Sequence, residues 1–226
     1  MSRIAQAFSS PKSPKLVTYV TAGDPDLERS RELLLALAAA GADVLEVGVP
    51  FSDPIADGPA IQRAQERALA AGANLTTTLD LVASVRRDIS QPIVLFTYVN
   101  PVLRMGREVF VRRAHDAGVD GALLLDLPIE EAAEMQAALV DGGIDPIFLV
   151  SPTTTDERLD LAGRYGRGFL YAISRLGVTG ARDTVAASAA PLVARVRAHS
   201  ALPVALGFGI SRPEHVREVS GYADAV

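Results

Sequence analysis

In the run Val44-Leu45-Glu46-Val47-Gly48-Val49 a single carboxylate interrupts an otherwise apolar stretch that reads as a strand buried on both faces. Desolvating an ionised carboxylate in such a strand costs on the order of several kcal/mol unless it is paired or takes up a proton. Glu46 therefore reads as a group with a chemical task; the structural alternative is a glutamate at a strand end held by an arginine. Downstream, Asp57 precedes Gly58-Pro59 and a helix, the pattern of an N-cap. The same carboxylate is also placed to accept a hydrogen bond from a ligand N–H, and with Glu46 nearby the pair suits general acid/base work, worth about 10²–10⁴-fold in rate. Asp53, before Pro54, reads as a turn or interface residue.

Two glycine-bearing loops add candidates. Gly207-Phe208-Gly209-Ile210, trailed by Ser211 and a helix, lets backbone N–H groups approach an anion, or serves as a plain turn. Ser174-Arg175-Leu176-Gly177-Val178-Thr179-Gly180-Ala181-Arg182 is long enough to close over a ligand, or to be a passive surface loop. His115, His199 and His215 show no metal-ligand spacing and are read as surface residues. No dinucleotide or P-loop fingerprint occurs.

These groups need elements to hold them. Apolar, β-rich runs fall at 16–21, 43–49, 93–96, 119–125, 144–150, 168–173, 203–206 and 222–226, alternating with helical patterns at 27–40, 59–71, 76–87, 107–116, 129–140, 156–164, 184–198 and 212–219. Eight strands alternating with helices predict parallel pairing and right-handed crossovers. The short spacing favours a closed (β/α)8 TIM barrel over an open doubly wound sheet, as one domain over 1–226 with an N-terminal capping helix at about 3–9. The eighth unit stops at Val226 with no helix after it, so the expectation is an incomplete barrel with an unpaired strand edge at the seam, from a longer parent sequence.

In such a barrel the reacting groups come from the C-terminal strand ends. Glu46 lies near that mouth, Asp53 and Asp57 in the loop beyond, and Tyr19, Phe96, Tyr98, Asp126 and Tyr171 at or past other strand ends. Aromatic side chains at one mouth suit a flat, apolar ligand; ordinary barrel packing is the alternative for each.

Composition narrows the classes. Net charge is −5 with 49% hydrophobic and 22% charged residues, so a packed core is available and no nucleic-acid footprint is apparent. The absence of cysteine excludes disulfides and thiolate chemistry and fits a reducing, cytoplasmic setting. The longest clean apolar run, 33–42, is about half of the roughly 20 residues that span a bilayer. The basic, serine-containing first 15 residues lack the apolar core of a signal peptide.

The motif LEVGVPFSDPIADGPAIQ, with the earlier TAGDP, the later Tyr-x-x-Ser-Arg and RLGVTGAR, and the GFGIS loop, closely resembles the tryptophan synthase alpha subunit family, in order and spacing through nearly the whole chain. The resemblance implies a TIM-barrel lyase that cleaves indole-3-glycerol phosphate to indole and glyceraldehyde 3-phosphate without a cofactor of its own. By the same resemblance Glu46 matches the catalytic glutamate, Asp57 the aspartate that binds the indole N–H, and Tyr171 a tyrosine lining the site. Tyr19, Ile61, Phe96, Tyr98, Leu123, Leu149 and Phe208 match the indole pocket, Gly180, Gly207 and Gly209 the phosphate-binding backbone, and Thr179 the lid threonine. It further implies a PLP-dependent beta subunit in an αββα assembly, with indole passed between subunits and contact through loops around Asp53, 100–102 and Thr179. The family's remaining phosphate contacts, a Gly-Ser pair after strand eight, would fall beyond Val226. Other readings kept open are a non-catalytic activator of a beta subunit and a stand-alone lyase.

Overall fold

A strand buried on both faces needs helices outside it and side chains within, and the chain supplies both in alternation. The computed structural model describes residues 1–11, 14–173, 187–207, 210 and 212–226. Strands β1 (Val17–Thr21), β2 (Val44–Gly48), β3 (Ile93–Thr97), β4 (Gly121–Leu124), β5 (Asp145–Val150), β6 (Leu170–Ile173) and β7 (Val204–Gly207) pair in parallel in chain order. Helices α1 (Arg3–Ser9), α2 (Leu27–Ala39), α3 (Pro59–Ala70), α4 (Leu75–Arg86), α5 (Val99–Met105), α6 (Arg107–Ala117), α7 (Ala133–Asp141), α8 (Asp156–Tyr165), α9 (Ala189–His199) and α10 (Pro213–Val219) lie between and around them.

The seam between β7 and β1 is filled. Lys15 N–H donates to the Asp224 carbonyl at 2.8 Å, Val17 N–H to the Val226 carbonyl at 2.8 Å, and Leu206 N–H to the Ala225 carbonyl at 2.9 Å. Residues 224–226 thus bond to both neighbours, and the unpaired edge expected there is not found.

Alternation sorts each strand into two faces. Leu45 and Val47 of β2 point outward into the cluster shared with the helices, while Val44 points inward with Val94, Phe96, Leu123, Ile147, Phe169 and Ala205. Side chains two apart share a face, so Glu46 and Gly48 line the interior with Val44. At the N-terminal end α1 inserts Ile4 and Phe8 into this interior, and Phe8 meets Phe169 at 5.4 Å between ring centroids. The expected capping helix is this one.

Three details depart from expectation. Helix α5 was not foreseen; Pro101 is its third residue, where the missing N–H would have had no helical partner, and Gly106 at φ +88° separates it from α6. The helix expected over 129–140 is a 3-10 turn, Ile129–Glu131, followed by α7; Arg158 anchors that turn by pairing with Glu130 at 2.6 Å. His215, expected at the surface, is buried on α10.

Candidate active site

The C-terminal ends of β1, β2, β3 and β6 bring most of the candidate residues together. Tyr19, Phe96, Leu123, Leu149 and Tyr171 all join the interior cluster, and Tyr19 packs edge-on to Phe96 at 5.4 Å. Glu46 pairs in register with Tyr19 on one side and Val94 on the other.

Glu46 is 1% exposed. Among the described residues no arginine holds it, and its Oε1 is the one buried ionisable atom there that makes no hydrogen bond. Burial pushes its carboxyl up to about 8, so at neutral pH the proton stays on. A buried acid kept protonated and left unpaired is poised to give that proton to something not made of protein.

Asp57 behaves differently. The loop after β2 buries it, yet its side chain does not cap α3; Gly58 occupies the N-cap without a side-chain bond and Pro59 opens the helix. The N-cap reading therefore fails, because the carboxylate turns inward instead. Its Oδ2 accepts from Tyr98 Oη at 2.8 Å and from Gln65 Nε2 at 2.7 Å. Burial raises its pKa above the ordinary carboxylate value, and those two donors to the ionised form oppose the rise. Tyr98, just past β3, also accepts from Ala56 N–H at 3.0 Å and stacks on Phe51 at 4.9 Å, so the loop is pinned to the barrel on both sides of Asp57.

Both acids act on one phenol. Burial raises the Tyr19 hydroxyl, a hydrogen bond from Thr21 opposes this, and the charges of Asp57 and Glu46 add to the rise, which places both carboxyls in the field of one phenol. Tyr171 is raised by burial and then by Glu46. One protonated acid and one carboxyl group held by two donors, beside aromatic walls, are groups suited to proton transfer on a flat apolar ligand.

Ile61 is half-buried in the first turn of α3. Gly207 ends β7, and the space its side chain would fill is taken by the ring of Tyr171, so packing already requires a glycine there. Thr179, Gly180, Phe208 and Gly209 lie outside the described residues, as does all of the expected lid, 174–182. Asp126 serves α5, accepting from Val99 N–H at 2.7 Å. Among the described residues no cluster of His, Asp and Glu is arranged to hold a metal, and no single helix is long and apolar enough to cross a membrane. Sequence reading missed Gln65; its signal was a polar residue in the apolar stripe Ile61, Gln65, Ala68 of an amphipathic helix.

Comparison with known proteins agrees with this fold. A family model described as tryptophan synthase alpha chain matches residues 5–226. The tryptophan synthase alpha chain of Solibacter usitatus is 48% identical over 229 residues, covering 100% of this chain and 86% of that one. That of Methanoregula boonei is 51% identical over 216 residues, covering 96% and 82%. Among solved structures, Mycobacterium tuberculosis tryptophan synthase superposes with a TM-score of 0.93 at 40% identity, covering 100% of this chain and 87% of that one. A chain from the Pyrococcus furiosus tryptophan synthase a2b2 complex gives 0.89 at 42% identity, covering 95% and 87%. With its barrel and its likeness to these relatives along nearly the whole of this chain in agreement, the chain belongs to the tryptophan synthase alpha chain family.

Proposed function

We propose that Glu46 and Asp57 divide the proton work of the family's lyase reaction, the cleavage of indole-3-glycerol phosphate to indole and glyceraldehyde 3-phosphate. The observation that carries this reading is the buried, unpaired Glu46 carboxyl, which acts on the Tyr19 hydroxyl together with Asp57, a carboxyl clamped by two donors. Glu46, protonated at neutral pH, gives its proton to C3 of the indole ring, and the positive charge that appears at the ring nitrogen is stabilised by Asp57. The resulting Glu46 carboxylate then takes the proton of the adjacent glycerol hydroxyl. The carbon–carbon bond breaks, its electron pair restores the aromatic ring, the carbonyl of the aldehyde forms, and Glu46 ends protonated as it began.

Tyr19, Phe96, Leu123, Leu149 and Tyr171 supply the flat apolar walls, and Ile61 and the buried Tyr98 are assigned to the same pocket. Thr179 is assigned to the lid, Gly180 and Gly209 to the phosphate seat and Phe208 to the indole pocket from the sequence alone, and Gly207 joins the phosphate seat through its backbone. The partner is a PLP-dependent beta subunit in an αββα assembly within the cytoplasm. Support for a partner comes from the a2b2 complex of the Pyrococcus furiosus relative and from a groove of about 510 Å³ beside Phe51, Leu75, Pro101 and Met105, with Ile55 and Leu103 exposed.

Glu46→Gln tests the reading. Indole release should vanish while calorimetric titration shows substrate affinity largely kept; retained turnover would defeat it. Sedimentation of the chain titrated with a beta subunit tests the assembly, and unchanged sedimentation at micromolar concentrations would favour a stand-alone lyase.

A further inference from the structure

Gln65 lies on the buried face of α3 between Ile61 and Ala68, and is 2% exposed. Burying an amide there is tolerable only if both of its ends are satisfied. Both are: Oε1 accepts from Phe51 N–H at 3.0 Å, and Nε2 donates to Asp57 Oδ2 at 2.7 Å. Only the carbonyl end accepts from an N–H and only the amino end donates to a carboxylate, so the two partners fix which way the amide points. Tyr98 Oη donates to the same Oδ2 at 2.8 Å. Oδ1 receives no hydrogen bond from any described residue, so one carboxylate oxygen is saturated by protein and the other is left for a ligand.

We propose that Gln65 is a positioning residue for the reaction, orienting the Asp57 carboxylate so that Oδ1 is presented to the ring N–H, and tying that orientation to the loop after β2 through Phe51. The inference rests on the reading of Asp57 as the ring N–H acceptor. A carboxylate held at one point turns broadly about its last torsion. Two charge-assisted donors converging on one oxygen remove that freedom and supply geometric specificity. Gln65 acts through Asp57 and not on the substrate.

Two substitutions in the full chain, assayed by steady-state indole release across pH, test this. Gln65→Met keeps the volume and removes the donor: kcat should fall about ten- to hundredfold with KM changed little. The acid limb of the pH profile should move upward, because Asp57 loses a hydrogen bond that favours its ionised form. Gln65→Glu has nearly the same shape; its introduced carboxyl donates to Oδ2 only while protonated, so activity should exceed that of Gln65→Met on the acid side and decay as pH rises. A merely structural glutamine would lower the folded fraction, read by urea unfolding, and leave both profiles parallel to wild type; that result overturns the proposal. Should Gln65→Met not fold, the Gln65→Glu profile decides alone. Asp57→Asn is run alongside. If it retains turnover the reading of Asp57 falls, whereas an inactive Asp57→Asn beside wild-type behaviour in both Gln65 variants removes the positioning role only.

Discussion

The ring of Tyr171 occupies the place where Gly207 would carry a side chain: a Cβ built there would lie 2.0 Å from Tyr171 Cε1. Tyr19 and Gly48 repeat the relationship on the other side of the barrel, with 2.1 Å between a Cβ on Gly48 and Tyr19 Oη. In both cases the glycine lies two residues beyond the tyrosine's register partner on the next strand, Glu46 for Tyr19 and Ala205 for Tyr171. Each phenol leans diagonally toward the C-terminal mouth across a gap that only glycine leaves. The aromatic walls of the site are therefore written into two strands apiece.

Gly207→Ala should then act through Tyr171. Overpacking of this kind costs about 1–3 kcal/mol, and the displaced ring should lower indole release as well. In a Tyr171→Leu background the added methyl has room, so the two substitutions should be non-additive. Urea unfolding of the four proteins measures the coupling, and additive losses would contradict the packing account.

The far end of the barrel holds a charge cluster with no part in the chemistry. Asp120, 6% exposed, accepts from Arg3 at 2.9 Å, from Arg86 at 2.7 Å and from Ile93 N–H at 2.8 Å, so one carboxylate ties α1, α4 and β3 together. Burial already lowers the Arg86 pKa, and Asp120 opposes that. Asp120→Ala would leave a mostly buried guanidinium unpaired, a loss of about 3–5 kcal/mol. Stability by denaturant should drop by that order while kcat per folded molecule stays at the wild-type value. A fall in kcat would mean the two ends of the barrel are coupled.

Much of this was legible because parallel strands in a barrel are buried on both faces, and runs such as 44–49 and 93–96 carry that burial openly. Glu46 could be singled out because an acid in such a run has nowhere to hide. Asp57 was ambiguous for a physical reason: Asp-Gly-Pro before a helix is cap chemistry, and the competing partner, Tyr98, is 41 residues away. Helix α5 went unseen because it is short and carries Pro101, although a proline in a first helical turn loses no bond. Gly207 showed its permissive backbone in the sequence, but the ring filling its side-chain space comes from another strand. His215 offered no sequence sign that α10 would turn it inward.

Charge, not shape, should be what Asp57 supplies. Asp57→Asn keeps an oxygen for Tyr98 and Gln65 and removes the negative charge, so kcat should fall about 10²–10³-fold with KM nearly constant. Tyr98→Phe removes one of two donors to the ionised carboxylate, and the acid limb of the pH profile should rise toward neutrality with a loss of about tenfold in kcat. Steady-state rates over pH distinguish the two: Asp57→Asn lowers the whole curve, Tyr98→Phe also displaces it. Identical curves would place Tyr98 outside the electrostatics of the site.

Glu46 should make the fold less stable in the pH range where it works. Its folded pKa is about 8, against 4.5 for the ordinary carboxyl, and desolvation is the cause. Below the lower value both folded and unfolded chains hold the proton, so burial carries no penalty. Between the two values only the folded chain holds it, and stability declines as pH rises, by about 1.4 kcal/mol per unit. Above the upper value both forms are ionised and the penalty is complete. Glu46→Gln has no such proton, so its stability relative to wild type should climb from about pH 5 to about pH 8 and then level off, although indole release is lost. Wild-type kcat/KM should fall as pH passes about 8, because the acid that supplies C3 is then spent. Urea unfolding of both proteins across this range reads the first effect and initial rates read the second. A stability difference flat with pH would mean that the carboxyl is ionised and compensated within the fold, and its role as the acid would go with it.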